Sequence, residues 1–278
     1  MAIDASSNLS CPSSIAELLS GLPGRALFDA AKPENAELAS ELISRLDRAA
    51  HPLLSDYHQL SQTPLMWAAH FDNIPYAKAL ARHSNLMAQD CNGHSAACFA
   101  ARNGCAAAAI YFSELVGQGF ANAEGASLLM SAAIGGHLGA INALIPSADP
   151  ARVDKNGNTA LMLALGESNR QAALILIPLS PLSTASIIQY TPLCIAAFRG
   201  LDQECELILR ELHARQTPLP AISQDVFKAV YHAGRAGHHL LESRLQFLAS
   251  SLAESRALAA ATHEPKPDPA AKPARRGL

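Results

Sequence analysis

QTPLMWAAHFDN, residues 62–73, returns in altered form every 32 residues: SAACFAARNG from Ser95, SLLMSAAIGG from Ser127, TALMLALGES from Thr159 and TPLCIAAFRG from Thr191. The spacing from Thr63 onward never slips. A constant period of this length marks a stack of small equivalent units, each covering the apolar face of its neighbour. Such a stack works as a recognition surface rather than as the wall of a catalytic pocket.

The residues inside one period say what each unit is. Leu65, Leu129, Leu161 and Leu193 lie two positions after the anchor, and Ala68, Ala100, Ala132, Ala164 and Ala196 lie five after it. That i, i+3 spacing is one buried stripe of a helix, made of residues small enough for helices to approach closely. The anchor hydroxyl stands where it can satisfy free N–H groups of the first turn, and Pro64 and Pro192 fill a first-turn position that needs no N–H. Nine residues after the anchor, Gly104, Gly136 and Gly200 predict a tight turn, replaced elsewhere by Asp72-Asn73 and Ser168-Asn169. AAAAIYFSELV, LGAINALI, RQAALILI and DQECELIL follow as second helices. Gly93, Gly125 and Gly157, two residues ahead of their anchors, predict a hairpin-like finger with positive φ.

These five phased segments resemble the ankyrin repeat's TPLHxAAxxG, and the resemblance covers residues 25–250. It implies an all-α solenoid of helix-turn-helix units with short fingers, about seven in number counting two caps. The first cap is RALFDAAKPENAELASELISRL from Arg25. The last is KAVYHAGRAGHHLLESRLQFL from Lys228, after a long connection, ARQTPLPAISQDVF. Glu34, Glu37, Glu41, Arg45, Glu242, Arg244 and Glu254 predict polar outer faces that keep the ends from self-association. Where the family's motif has histidine at the fourth position, this chain has Met66, Cys98, Met130, Met162 and Cys194. The expectation is more reliance on packing and less on hydrogen bonds between loops.

With 49% hydrophobic and 16% charged residues in 278, the chain is expected to fold, and an array can reach this length without a second domain. A net charge of −3 with scattered signs offers no footprint for nucleic acid and no basic face for a membrane. The six cysteines do not space like a secreted disulfide scaffold. No basic residue precedes Arg25 and no 18-residue apolar run is present, so neither a classical signal peptide nor a membrane span is expected. Residues 1–24, with six serines, form a flexible segment whose composition resembles the export signals of bacterial type III effectors; a plain disordered terminus is the alternative. Residues 251–278 are expected to finish a helix and continue as a disordered tail rich in proline, alanine and lysine. The place of action is then cytoplasmic, or a host cell reached without a classical signal peptide.

No catalytic, cofactor or metal site is predicted, and the chain is not expected to be an enzyme. GHSAA at residues 93–97 lacks the last glycine of a nucleophile elbow and has no strand before it. Cys91, His94, Cys98 and Cys105 are residue types that bind zinc, but the repeat spreads them over finger, inner helix and outer helix.

The resemblance implies that a protein partner lies in the concave groove of fingers and exposed inner-helix sides. In this numbering the groove takes in Leu60, His70 and Phe71, then His94, Arg102 and Asn103, then Lys155. At the fifth finger, SIIQY, both the acidic residue and the glycine are missing, so Ile187, Ile188, Tyr190, Phe198 and Arg199 predict an apolar patch beside a cation, of the kind that anchors partners. The alternative is that this finger folds back and buries them against the connection before Lys228. The function expected is protein binding by a monomer without cofactor, nucleic acid or membrane, as a bacterial effector in a host cell. The alternative is a regulatory or targeting subunit of an endogenous enzyme complex in the bacterial cytoplasm.

Overall fold

The computed structural model describes residues 25–46, 61–117 and 119–262. They form two compact units, one ending at Pro192 and the other beginning at Leu193. Every regular element among the described residues is helical. The first unit holds five pairs: α1 (Ala26–Asp29) with α2 (Ala36–Leu46), α3 (Pro64–His70) with α4 (Ile74–Ala81), α5 (Ala96–Arg102) with α6 (Ala106–Val116), α7 (Leu128–Gly135) with α8 (Leu138–Leu144), and α9 (Ala160–Gly166) with α10 (Arg170–Leu176). The second holds α11 (Pro192–Phe198), which begins at the boundary, with α12 (Asp202–Ala214), and α13 (Leu219–Ala236) with α14 (His239–Thr262).

Inner helices of seven or eight residues are too short to persist alone in water, so stacking must hold them. In the first unit α3 lies on α1 and α5, α5 on α7, and α7 on α9, while α6 lies between α4 and α8 in the outer layer. The repeated alanines Ala68, Ala100, Ala132 and Ala164 are fully buried at these contacts, as are Leu65, Leu129 and Leu161. At one point the approach is closer than any side chain allows. A Cβ on Gly135 would run into the Arg102 carbonyl of the neighbouring inner helix.

The anchors work as helix caps. Thr63, Ser95, Ser127 and Thr159 lie in extended backbone just outside α3, α5, α7 and α9. Each hydroxyl oxygen accepts from the N–H three residues on, at 3.3 to 3.5 Å. The sulfur residues at the fourth position also form bonds that the sequence reading did not foresee. Met66 Sδ and Met130 Sδ each accept the anchor's own N–H at 3.4 Å, and the Ser95 hydroxyl donates to Cys98 Sγ at 3.6 Å. A thioether is a weak acceptor, but here it completes a reciprocal cap in the place of the usual Glu or Gln.

The turns between the helices of a pair also bond to the neighbouring unit. In three units the residue ten after the anchor sits in the turn between helices and reaches back to the preceding inner helix. Asn73 Nδ2 donates to the Ala30 carbonyl at 3.2 Å, the Cys105 thiol to the His70 carbonyl at 3.5 Å, and Asn169 Nδ2 to the Ala133 and Ile134 carbonyls at 3.0 and 2.8 Å. Those carbonyls end their helices and lack an intrahelical partner. One unit's turn therefore caps its neighbour's helix. Tyr76, fully buried, donates its hydroxyl to the Leu27 carbonyl at 2.9 Å, and burial holds this phenol protonated.

The second unit departs from the reading of its ends. Residues 219–227, expected in a connection, are the first turns of α13, whose buried residues Ile222, Val226, Ala229 and Ala233 make one continuous stripe. The polar outer face expected of the last pair is also incomplete. Arg244 and Glu254 are exposed, but so are Phe227, Tyr231, Leu240 and Phe247.

Candidate functional site

The second, third and fourth fingers of the first unit are turns pinned by one side chain each. Asp90 Oδ1 accepts from the N–H groups of Asn92 and His94 at 2.9 and 2.7 Å, Asn122 Oδ1 from Glu124 and Ala126 at 3.0 and 2.8 Å, and Asp154 Oδ1 from Asn156 and Asn158 at 2.8 Å each. Neighbouring fingers are joined through the backbone: Ala123 N–H donates to the Gly93 carbonyl at 3.4 Å, Lys155 to Glu124 at 3.0 Å, and Ile187 to Asn156 at 2.9 Å.

The fifth finger follows the same plan with other residues. Ser186 Oγ replaces the carboxylate or amide and accepts from Tyr190 N–H at 3.2 Å. Gln189 takes the glycine's place with φ +63°, as Ser61 does in the first finger with φ +57°. The finger therefore does not fold back. Ile187 and Ile188 stand at its tip, 69% and 68% exposed, where the preceding tips carry Cys91-Asn92, Ala123-Glu124 and Lys155-Asn156. Tyr190, at the base, is half-buried. Phe198 and Arg199, in the second unit at and just after the end of α11, are exposed.

Nearer the start of the unit the inner helices carry a row of rings. Phe28 meets Trp67 edge-on with centroids 5.8 Å apart, Trp67 lies 6.0 Å from Phe71, His70 meets Phe71 at 4.8 Å and Phe99 at 6.4 Å, and His94 meets Phe99 at 6.0 Å. Gln62, Met66, Trp67, His70, Phe71 and Phe99 enclose a shallow hollow of about 140 Å³. The indole N–H is already used, donating to Gln62 Oε1 at 3.0 Å. The hollow therefore offers apolar ring surface, and its polar neighbours supply direction. Asn103 Nδ2 lies 2.8 Å from His70 Nδ1, and Arg102 Nη1 lies 3.5 Å from His94 Nε2. His94 Nδ1 is 3.6 Å from Asp90 Oδ1.

Of the expected binding residues, His70, Phe71, His94, Arg102 and Asn103 thus gather around one ring-lined surface, and Lys155 is exposed on the fourth finger. Leu60 lies outside the described residues. Sequence reasoning missed Trp67 and Phe99, which line the hollow between the expected residues. Both lie four after their anchor, on the helix face next to the buried alanine stripe, and that shared position of two large rings was the available signal.

Of the residues weighed for zinc, Cys91 is exposed, while Cys98 and Cys105 are buried. Burial with Asp72 nearby pushes the Cys105 thiol up to about 11, and burial with Asp202 and Glu204 nearby pushes Cys205 up to about 12, so neither is a thiolate at neutral pH. Ser95 is buried in its capping role. Among the described residues no group of three or more His, Cys, Asp or Glu side chains converges as a metal would require, and no helix is long and apolar enough to cross a membrane.

No curated protein matches the chain at a significant level. The family described as Ankyrin repeats (3 copies) matches it over residues 27–118 and 111–187. Capped inner helices, left-handed turns, stapled fingers and this match agree, and the chain belongs to the ankyrin-repeat family.

Proposed function

We propose that the chain binds a partner protein through the fingers and inner helices of its first unit, with the ring-lined hollow taking an apolar side chain and the fifth fingertip making a second contact. The observation that carries this reading is Ile187-Ile188. Two adjacent branched aliphatic side chains at 69% and 68% exposure have no packing role in the unit, and water contact over both is unfavourable until a partner covers them. Phe71 and the half-buried Trp67 and Phe99 supply the rigid aromatic surface on which binding energy concentrates, with Arg102 beside them to pair a carboxylate. Phe198 and Arg199, exposed in the second unit, are proposed as further contacts and are tested by their own variant, Phe198→Ala with Arg199→Ala.

The test is site-directed crosslinking from a photoreactive side chain at position 188, compared with the Ile187→Asp, Ile188→Asp double variant. Asp at these exposed positions is expected to leave the fold intact by circular dichroism, and the partner captured by the parent is expected to disappear from the variant. A variant that captures the same protein in the same amount defeats the proposal. We propose further that the setting is a host cell, on the support of the serine-rich, cation-free composition of residues 1–24. A reporter fused to those residues that is not delivered in a type III translocation assay removes that part and leaves the binding face standing.

A further inference from the structure

The outer helices of the second unit do not close on each other. Between α12 and α14 runs an apolar groove of about 840 Å³, floored by Leu209, Ile222, Leu241 and Leu245. Phe247 and Leu240 stand on its edge, 75% and 72% exposed. The α12 side runs from Asp202 to Ala214, about 18 Å at the helical rise of about 1.5 Å per residue, so the groove is long enough for three turns of another helix.

The charges along this edge say which helix fits. On the groove side of α12, Asp202 and Glu206 occupy the N-terminal half, and Arg210 and His213 the C-terminal half; the one further charge in the lining is Arg244 of α14, beside Asp202. An edge with its signs divided in this way repels a parallel copy of itself. It matches an antiparallel copy, in which each acidic half faces a basic half. The internal pairs Glu206–Arg210, at 2.6 Å, and Asp202–Arg244, at 3.7 Å, join exposed side chains and are weak enough to be exchanged for contacts across an interface.

We propose that a second copy of this chain docks on this groove across a two-fold axis, with α12 and α14 of each copy antiparallel to those of the other and each Phe247 entering the other's groove. The arrangement is isologous, so one set of residues serves both sides and the assembly closes at two. It accounts for a last repeat that exposes Phe247 and Leu240 where a terminal cap is expected to be polar. It stands independently of the fingertip contact proposed above.

Sedimentation velocity of the full chain from about 1 to about 100 µM is expected to show a concentration-dependent doubling of mass. Phe247→Asp with Leu240→Asp is expected to weaken association at least about tenfold while leaving the far-UV spectrum unchanged. Two further variants test the register: Asp202→Lys with Glu206→Lys, and Arg210→Glu with His213→Glu. Each alone is expected to self-associate at least about tenfold more weakly than the parent, and an equimolar mixture to dimerise again. A chain that stays monomeric over the whole range overturns the proposal, as does a dimer indifferent to the Phe247 and Leu240 changes. Charge variants that dimerise as well as the parent, or that fail to recover when mixed, overturn the antiparallel register. A monomer that binds an added amphipathic helix at this groove assigns it to a different occupant and equally refutes a second copy.

Discussion

Alanine in place of glycine inside a helix should raise stability, because glycine loses more backbone entropy and alanine is the best helix former, by about 1 kcal/mol. The structure predicts opposite signs for this one substitution at two neighbouring sites. Gly139, in α8, has only Ala106 Cβ near the space a methyl group would fill, at 3.9 Å, so Gly139→Ala is expected to stabilise by about 0.5–1 kcal/mol. Gly135, in α7, would drive its new Cβ into the Arg102 carbonyl oxygen, with the carbonyl carbon at 2.9 Å and His137 Cδ2 at 3.0 Å. The obstacle is backbone, so it cannot swing aside as a side chain would, and α5 and α7 must separate. Overpacking of this kind costs about 1–3 kcal/mol, at the upper end when backbone must move; less the helix gain of about 1, the net loss is about 2 kcal/mol. With a urea m-value of about 2–3 kcal/mol/M, the midpoint falls by roughly 0.7–1 M. Trp67 is the single tryptophan and lies on the N-terminal side of this interface, so its fluorescence reports α3 while circular dichroism at 222 nm reports all helices. Because repeats couple only to their neighbours, the two probes should part in Gly135→Ala and coincide in the parent. A Gly135→Ala protein with an unchanged or higher midpoint would show that α5 and α7 are not held at this approach, and the reasoning fails.

Asn169→Ala removes both bonds from the turn to the Ala133 and Ile134 carbonyls, and at about 1 kcal/mol each the loss is about 2 kcal/mol; a urea midpoint within error of the parent would reduce this ladder to a by-product of stacking. Gln189→Gly relieves a left-handed residue that costs about 1–2 kcal/mol and adds glycine's entropy cost of about 0.5–1, so stability should rise by about 0.5–1 kcal/mol, and a fall would mean that the Gln189 side chain contributes more than its backbone costs. His232 is buried in α13, and burial, then Arg235, then Lys228 lower its pKa beneath the ordinary 6.5. The unfolded chain therefore takes up the proton first, so this residue's share of stability is intact above pH 6.5 and declines as pH falls below it toward the folded value. The thermal midpoint of the parent should drop in that window more steeply than that of His232→Gln, and parallel curves would refute the assignment.

The period, the caps and the turns were all legible because each is imposed locally: a hydroxyl before a helix, a small residue at a crossing, a glycine in a left-handed turn. The residue ten after the anchor shows the limit. Asn73, Cys105 and Asn169 can each donate a hydrogen bond, a recurrence visible in the sequence, but its meaning depends on the preceding unit's carbonyls standing beside it. The fifth finger shows a different limit. Reading SIIQY by composition left exposure and burial equally open, since Ser186 for Asp and Gln189 for Gly are poor matches individually; the bond from Ile187 to Asn156 decides it by holding the finger to its neighbour. Pro218 and Pro220 make the start of α13 look like a connection, although proline is tolerated in a helix's first turn. Trp67 and Phe99 escaped notice because the family pattern leaves their position open.

Ser61 and Gln189 share a backbone conformation with Gly93, Gly125 and Gly157, so the shape of a finger is dictated by the array rather than by the residues at its tip. What a tip displays is thereby uncoupled from whether it folds. Cys-Asn, Ala-Glu, Lys-Asn and Ile-Ile occupy equivalent places on one frame, like interchangeable type in a fixed form. A lineage carrying such a chain can revise what it recognises by changing two adjacent codons, with the frame absorbing the change. The same property makes the tips the natural positions at which to retarget this protein by design.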